Sequence, residues 1–142
     1  MNDWPTWMRV KLKNDADFIS NLGDGVNSVY GAGSLNGPPS RKPFLIIHSD
    51  DDARGPFPGM GQSLCSIHVH DEPGSYARIR TILHKARLVL CGPTLERATL
   101  GTGAEAGGMI RWLNDSADLA DEGFNTIVRT SQYQLNGADG DD

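Results

Sequence analysis

The clearest hydrophobic pattern along the chain lies in residues 43–92. Residues 44–48 form a continuous apolar run, which predicts a buried strand. Residues 64–70 alternate between apolar and polar side chains, which is typical of a half-buried strand. The apolar set is Cys65, Ile67 and Val69, and the polar set is Ser66, His68 and His70.

Residues 75–91 show the helical period, with apolar side chains at steps of three and four residues. Ser75 can cap the start of this helix, Gly92 suits a left-handed residue at its end, and Pro93 blocks continuation. We expect this amphipathic helix to cover one face of a small sheet. Its apolar stripe consists of Tyr76, Ile79, Ile82, Leu83, Ala86, Val89 and Leu90.

The N-terminal residues 3–22 predict a helix in two pieces. Asp3 can cap the first piece and Pro5 suits its first turn, whereas Asn14 or Asp15 can cap the second. Further strands are predicted at 25–30, 109–113 and 126–135, and loops at 31–42, 49–63, 94–108 and the acidic stretch 114–125. The spacing of the strands predicts an α+β fold with a small, mainly antiparallel sheet, packed by the central and N-terminal helices, with long loops.

Length and charge narrow the class of protein. A chain of 142 residues predicts one domain, here residues 1–136, followed by an acidic, disordered tail over 137–142. The formal net charge of −5 argues against a dedicated nucleic-acid binder. No apolar run reaches the roughly 20 residues of a membrane helix, and the first ten residues do not have the pattern of a signal peptide. We therefore expect synthesis in a cytoplasm, with Cys65 and Cys91 as buried, reduced thiols.

A possible metal site is the strongest chemical signal. His68 and His70 share the polar face of one predicted strand, and His48 ends the neighbouring strand. Imidazoles in this arrangement can bind zinc or iron, with a carboxylate nearby to complete the set. The alternative is a solvated or subunit-facing polar surface, which we favour because a His-x-His pair alone is weakly specific.

Other candidate sites are less convincing. Residues 50–52 lack the spacing of a calcium loop, and the glycines of 31–33 and 101–108 do not follow the phosphate-loop or dinucleotide pattern. The carboxylate pairs Asp71 with Glu72 and Asp118 with Asp121 have no apolar flank that would shift a pKa. The sequence therefore predicts no active site and no cofactor.

Long loops rich in Gly and Pro around a small core are typical of an assembly module. Such loops become ordered against neighbouring copies or partners. The candidate interface residues are Trp4, Trp7, Asn36, Pro38, Pro39, Arg41, Arg54, Phe57, Pro58 and Met60.

Over residues 10–136 the chain resembles the tail terminator proteins of long-tailed bacteriophages, which join tail to head. The matching pieces, in order, are LKNDADFISNLGDGVNSVY, PFLIIHSDD, IHVHDEPGSYARIRTILHKARLVL and IRWLNDSADLADEGFNTIVRTSQYQL. The opening WPTWMR and the His-x-His pair have no counterpart in the family pattern.

The resemblance implies an α+β subunit that forms a ring, usually of six copies. The ring caps the growing tail tube, then docks to the head-completion (stopper) protein, and genomic DNA passes through without specific binding. It implies a place at the head–tail junction of the virion, with assembly in the host cytoplasm and no catalysis. Acidic residues suit such a channel, since they do not grip phosphates. The candidates to line it are Asp50, Asp51, Asp118, Asp121 and Glu122.

Three alternatives stay open at this point. The first is a head-completion or stopper protein of the same neck, and the second is a metal-dependent enzyme or binding module that uses His68 and His70 with His48. The third is a small-ligand-binding α+β domain, which a strictly monomeric state would favour.

Overall fold

The computed structural model describes residues 4–31, 37, 39–54, 60–74, 76–100 and 108–138. In these ranges the helices are α1 (Trp4–Lys13), α2 (Ala16–Ile19) and α3 (Ala77–Cys91), with short 3₁₀ helices at Gly25–Ser28 and Gly92–Thr94. The strands are β1 (Val29–Gly31), β2 (Phe44–Arg54), β3 (Met60–Asp71), β4 (Arg97–Leu100), β5 (Gly108–Asp115), β6 (Leu119–Asp121) and β7 (Thr126–Ala138). The predicted α+β class, with an N-terminal and a central helix, is confirmed.

All seven described strands belong to one sheet with the order β1-β2-β3-β7-β5-β4, and β6 pairs with the first residues of β7. The β1–β2 pair is parallel, whereas the other described pairs are antiparallel. The sheet is therefore mainly antiparallel, as predicted. β3 and β7 lie at its centre, and β3 pairs with β7 over its full described length, from Met60 opposite Ala138 to Asp71 opposite Ile127.

Helices α1 and α3 cover one face of this sheet, which we call the helix face. The predicted stripe of α3 is confirmed, because Ile79, Ile82, Leu83, Ala86 and Leu90 are buried there. The alternation of β3 is confirmed on this side as well. The sheet residues buried in the same core include Leu45, Ile47, Cys65, Ile67, Val69, Ile110, Tyr133 and Leu135.

Local signals at the helix ends are confirmed where the structure describes them. The Asp15 side chain accepts a hydrogen bond of 2.9 Å from the backbone N–H of Phe18 and so caps α2. Gly92 follows α3 with a φ of 71°, a conformation that favours glycine. The predicted caps Asp3 and Ser75 lie outside the described residues, and Tyr76 occupies the N-cap position of α3 without a side-chain capping bond.

Several predicted loops are wrong in part. Residues 49–54 and 60–63, assigned to one long loop, continue β2 and β3, and residues 97–100 form β4. The acidic stretch 114–125 contains β6, and residues 25–28 form a 3₁₀ helix ahead of β1 rather than strand. Local composition favours loops at these positions, but a paired neighbour supplies the ladder hydrogen bonds that override it.

The predicted C-terminal tail and the predicted loop 31–42 also differ from the structure in their bounds. β7 continues to Ala138, two residues into the predicted tail, while 139–142 lie outside the described residues. Of the predicted loop 31–42, residues 32–36 and 38 lie outside them as well.

Candidate functional site

Polar and aromatic side chains gather on the face of the sheet that points away from α1 and α3, here called the far face. Its histidines come from β2 and β3, in positions that alternate with the helix-face residues of the same strands. The polar set that the sequence predicts for β3 does lie here. Of the favoured alternative, a solvated or subunit-facing polar surface, the solvated form is wrong at Ser66 and His70, because these two residues are only 4% exposed.

The structure brings His48 and His68 together, as the sequence predicts. His68 pairs across the strands with Ile46, so His48 is its diagonal neighbour on the same face. The two Nε2 atoms are 2.6 Å apart, and the ring planes differ by only 6°. An approach this short is below the roughly 3.5 Å contact of stacked atoms, so the rings meet edge to edge.

His70 does not join this pair, although it lies two residues from His68 on the same strand face. Its ring stacks on Phe44 with centroids 4.9 Å apart and contacts Phe124 at 5.1 Å. Its Nδ1 lies 2.9 Å from Oγ1 of Thr126 on β7. Tyr30 extends the group through an edge contact of 6.0 Å with Phe44. We call Tyr30, Phe44, His70 and Phe124 the aromatic cluster.

Burial within the aromatic cluster lowers the pKa of His70 from 6.5 to about 4. Loss of solvation is the largest cause, the nearby Asp121 carboxylate acts in the opposite direction, and His68 lowers the pKa further. His70 is therefore neutral at physiological pH and packs as a flat, partly apolar ring.

The carboxylates named from the sequence are engaged in local structure. Asp71 ends β3 and accepts two hydrogen bonds, of 2.6 and 2.5 Å, from the guanidinium of Arg78 in the first turn of α3. Asp118 accepts hydrogen bonds from Arg80 at 2.7 Å and from Arg129 at 3.2 Å. Asp71 thus ties α3 to the end of β3, and Asp118 ties the β5–β7 connection to α3 and β7.

The remaining predicted acidic residues differ in exposure. Asp121 accepts a hydrogen bond of 3.0 Å from the backbone N–H of Phe124, while Glu122 is exposed. Asp50 and Asp51 belong to the outer half of β2 rather than to a loop.

The predicted interface residues also separate into groups. Trp4 is only 5% exposed and makes an edge contact with the half-buried Trp7. Arg41 forms an exposed ion pair of 3.4 Å with Asp24, and Pro39 is half-buried. Arg54 and Met60 are the facing ends of β2 and β3. Asn36, Pro38, Phe57 and Pro58 lie outside the described residues.

Both cysteines are buried and free, as predicted. Burial raises the pKa of the Cys91 thiol, so this group is a poor nucleophile.

Sequence reasoning missed two features of the sheet. Thr126 and Thr130 both lie on β7 and place hydroxyls against His70 and His68, at distances of 2.9 and 2.8 Å. Their shared parity on a predicted strand was the available signal. The second feature is an arginine pair at the sheet edge, Arg97 on β4 directly opposite Arg111 on β5.

The arginine pair ends a row of register partners that runs from β2 to β4. Successive register partners run from Asp51 on β2 through Leu64, Gln134 and Arg111 to Arg97 on β4. Both arginines are exposed, and neither makes an ion pair with a described residue. Like charges directly opposite each other destabilise a sheet, so this edge favours an acidic neighbour.

In comparisons with protein-family models and with curated proteins, nothing matches this chain. Within the described ranges, no helix has the length and apolar character needed to cross a bilayer. Those ranges also contain no group of three or more His, Cys, Asp or Glu side chains placed to hold a metal ion.

Proposed function

We propose that this chain is a structural virion protein, a tail terminator whose copies form a ring that caps the tail tube at the head–tail junction. The ring would halt growth of the tube and then dock to the head-completion protein, while DNA passes through. Two lines of support are the resemblance over residues 10–136 and the charge arrangement of the sheet edges.

The row from Asp51 to Arg97 is the observation that carries the proposal. β1 pairs only with Leu45–Ile47, so no described strand lies beside the outer edge of β2 from Asp50 to Arg54. That stretch carries three consecutive aspartates. The opposite edge, β4, carries Arg97 beside Arg111. The two ends of one row are thus open in the described residues and oppositely charged.

Opposite edges of opposite charge favour head-to-tail joining of copies. In such a contact the acidic edge of one copy meets the basic edge of the next, which is a heterologous interface. β2 and β4 run in the same direction, because three antiparallel strands separate them. Two copies related by a small rotation would therefore pair these edges in parallel. Repetition of the contact closes a ring when the rotation divides a full turn.

Native mass measurement and negative-stain microscopy of the purified chain test the ring. We expect closed rings, with six copies as the value that the resemblance implies. A strict monomer at high protein concentration would contradict the proposal.

Charge reversal tests the edges themselves. Arg97→Glu with Arg111→Glu should dissociate the rings into folded monomers, and adding Asp51→Lys with Asp52→Lys in the same chain should restore them. Lys13→Glu is the control. It reverses one positive charge on α1, as each arginine substitution does at the sheet edge, and it should leave the rings intact. Rings that survive the double arginine reversal would show that another surface joins the copies.

The second candidate function is that of a head-completion or stopper protein of the same neck. The two roles differ in the partner that the ring binds first. Electron microscopy of the ring mixed with tail tubes, or with DNA-filled heads lacking a tail, distinguishes them. A terminator decorates the ends of tubes, whereas a stopper binds the portal end of filled heads.

A further inference from the structure

The edge-to-edge contact of His48 and His68 allows their protons to be assigned from their partners. Nδ1 of His48 lies 3.3 Å from the carbonyl oxygen of Ser49, which can only accept, so this nitrogen carries a proton. In a neutral ring the Nε2 of His48 then presents a lone pair. The N–H at Nε2 of His68 donates to that lone pair, and Nδ1 of His68 accepts from the hydroxyl of Thr130.

One proton therefore lies between two ring nitrogens that face the same position. A divalent metal ion can take the place of that proton. At a metal–nitrogen distance of about 2.0–2.1 Å, tetrahedral coordination separates two nitrogens by roughly 3.3 Å. The Nε2 atoms, now 2.6 Å apart, need to separate by less than about 1 Å, which small side-chain rotations supply.

The outer partners of both rings already suit metal binding. A metal-bound histidine usually donates its other ring N–H to a carbonyl or another oxygen, which fixes the ring orientation. His48 has the Ser49 carbonyl in this place, and His68 has Thr130 Oγ1 at 2.8 Å. When the metal binds, the proton of His68 moves from Nε2 to Nδ1, where the threonine hydroxyl turns to accept it.

We propose that His48 and His68 bind one borderline divalent transition-metal ion, such as Zn²⁺ or Ni²⁺, between their Nε2 atoms. Imidazole nitrogens select these ions over Mg²⁺ and Ca²⁺, which require oxygen ligands. Both side chains are only half-buried, so the ion and its water ligands can reach them. His70 takes no part, because its ring is enclosed by Phe44 and Phe124.

Isothermal titration of the untagged, metal-free full chain with Zn²⁺, and separately with Ni²⁺, tests the site. We expect one ion per chain, and an affinity at least tenfold lower in either His48→Gln or His68→Gln. His84→Gln removes the exposed histidine of α3 and should bind as the wild type does. Circular dichroism of each variant verifies that it is folded.

Thr130→Val provides a second variant that leaves both metal ligands in place. Loss of an outer partner typically lowers metal affinity 10–100-fold, so we expect weaker binding with unchanged stoichiometry. Nitrogen-15 spectra of the imidazoles should show Zn²⁺-dependent shifts at Nε2 of His48 and His68 and none at His70. No binding by the wild type, equal binding by His68→Gln, or loss of binding in His84→Gln would each overturn the proposal. The site is independent of the ring, and its failure would leave the proposed function unchanged.

Discussion

The two faces of the sheet are buried by different kinds of side chain. On the helix face, α1 and α3 supply mainly aliphatic residues, and the core there includes Ile67, Ile79 and Leu135. On the far face, the aromatic cluster buries Phe44 completely and His70 to 4% exposure, outside that core. The protein thus has a large aliphatic core on one side and a small aromatic core on the other.

Each face is specified by a different kind of interaction. Aliphatic side chains carry no polar atoms, so volume and shape determine how the helix face packs. On the far face, buried imidazole nitrogens need hydrogen-bond partners, and β7 provides Thr126 for His70 and Thr130 for His68. We therefore expect the helix face to govern overall stability and the far face to make that stability depend on pH.

The most severe loss of stability is expected from a charge buried on the helix face. Ile79→Asp places a carboxylate at a position that is 0% exposed, so the charge is buried without a partner and the domain should unfold. Thr81→Asp, at an exposed position of the same helix, is the control and should change stability by less than about 1 kcal/mol. Circular dichroism and urea unfolding measure both. A folded Ile79→Asp protein would mean that α3 is not required to close the core.

Phe44→Ala asks whether the aromatic core contributes on a comparable scale. Removing a fully buried phenylalanine typically costs about 3–5 kcal/mol, and here three ring contacts are lost as well. Val26→Ala, at a side chain that is 43% exposed, is the matched control and should cost less than about 1 kcal/mol. Equal urea midpoints for the two variants would show that the aromatic cluster does not contribute to stability as a core.

The pKa of His70 predicts a loss of stability at mildly acidic pH. The pKa of His70 is 6.5 in the unfolded chain and about 4 in the folded protein. Neutral His70 therefore makes its full contribution to the free energy of unfolding above pH 6.5. As the pH falls below 6.5, His70 becomes protonated in the unfolded chain but stays neutral in the folded protein. The free energy of unfolding then drops by about 1.4 kcal/mol per pH unit, and by roughly 3 kcal/mol in total near pH 4.

Urea unfolding of wild type and His70→Gln at pH 7.5, 6.0 and 5.0 measures this effect. The variant lacks the titrating ring, so its unfolding free energy should fall less steeply between pH 6.5 and 5.0. Its lower stability at every pH does not matter, since the slopes are compared. Parallel slopes would show that His70 is solvated and that the far face has no pH dependence of its own.

How far the sequence could predict these faces follows from the range of the contacts. The stripe of α3 and the alternation of β3 are local periods, so the helix face was predictable almost residue by residue. The sequence places His70 on a solvated or subunit-facing surface, because the residues that cover it, Phe124 and Thr126, lie more than fifty residues further along the chain. The outer half of β2 was missed for a related reason. Three consecutive aspartates disfavour a strand locally. Pairing of Asp51 and Asp52 with β3 nevertheless makes this stretch part of β2.

The finest comparison lies within the far face, between two threonines of one strand. Thr126 is 3% exposed and bonds to the buried His70, whereas Thr130 is half-buried and bonds to the half-buried His68. Thr→Val keeps the shape and removes the hydroxyl, so each variant leaves one imidazole nitrogen without its partner. A buried, unsatisfied nitrogen costs about 1–3 kcal/mol, while one within reach of water costs less. Urea unfolding at pH 7.5 should therefore place Thr126→Val below Thr130→Val by about 1 kcal/mol. The reverse order would mean that the His48–His68 pair, rather than the aromatic cluster, is the more rigid end of this face.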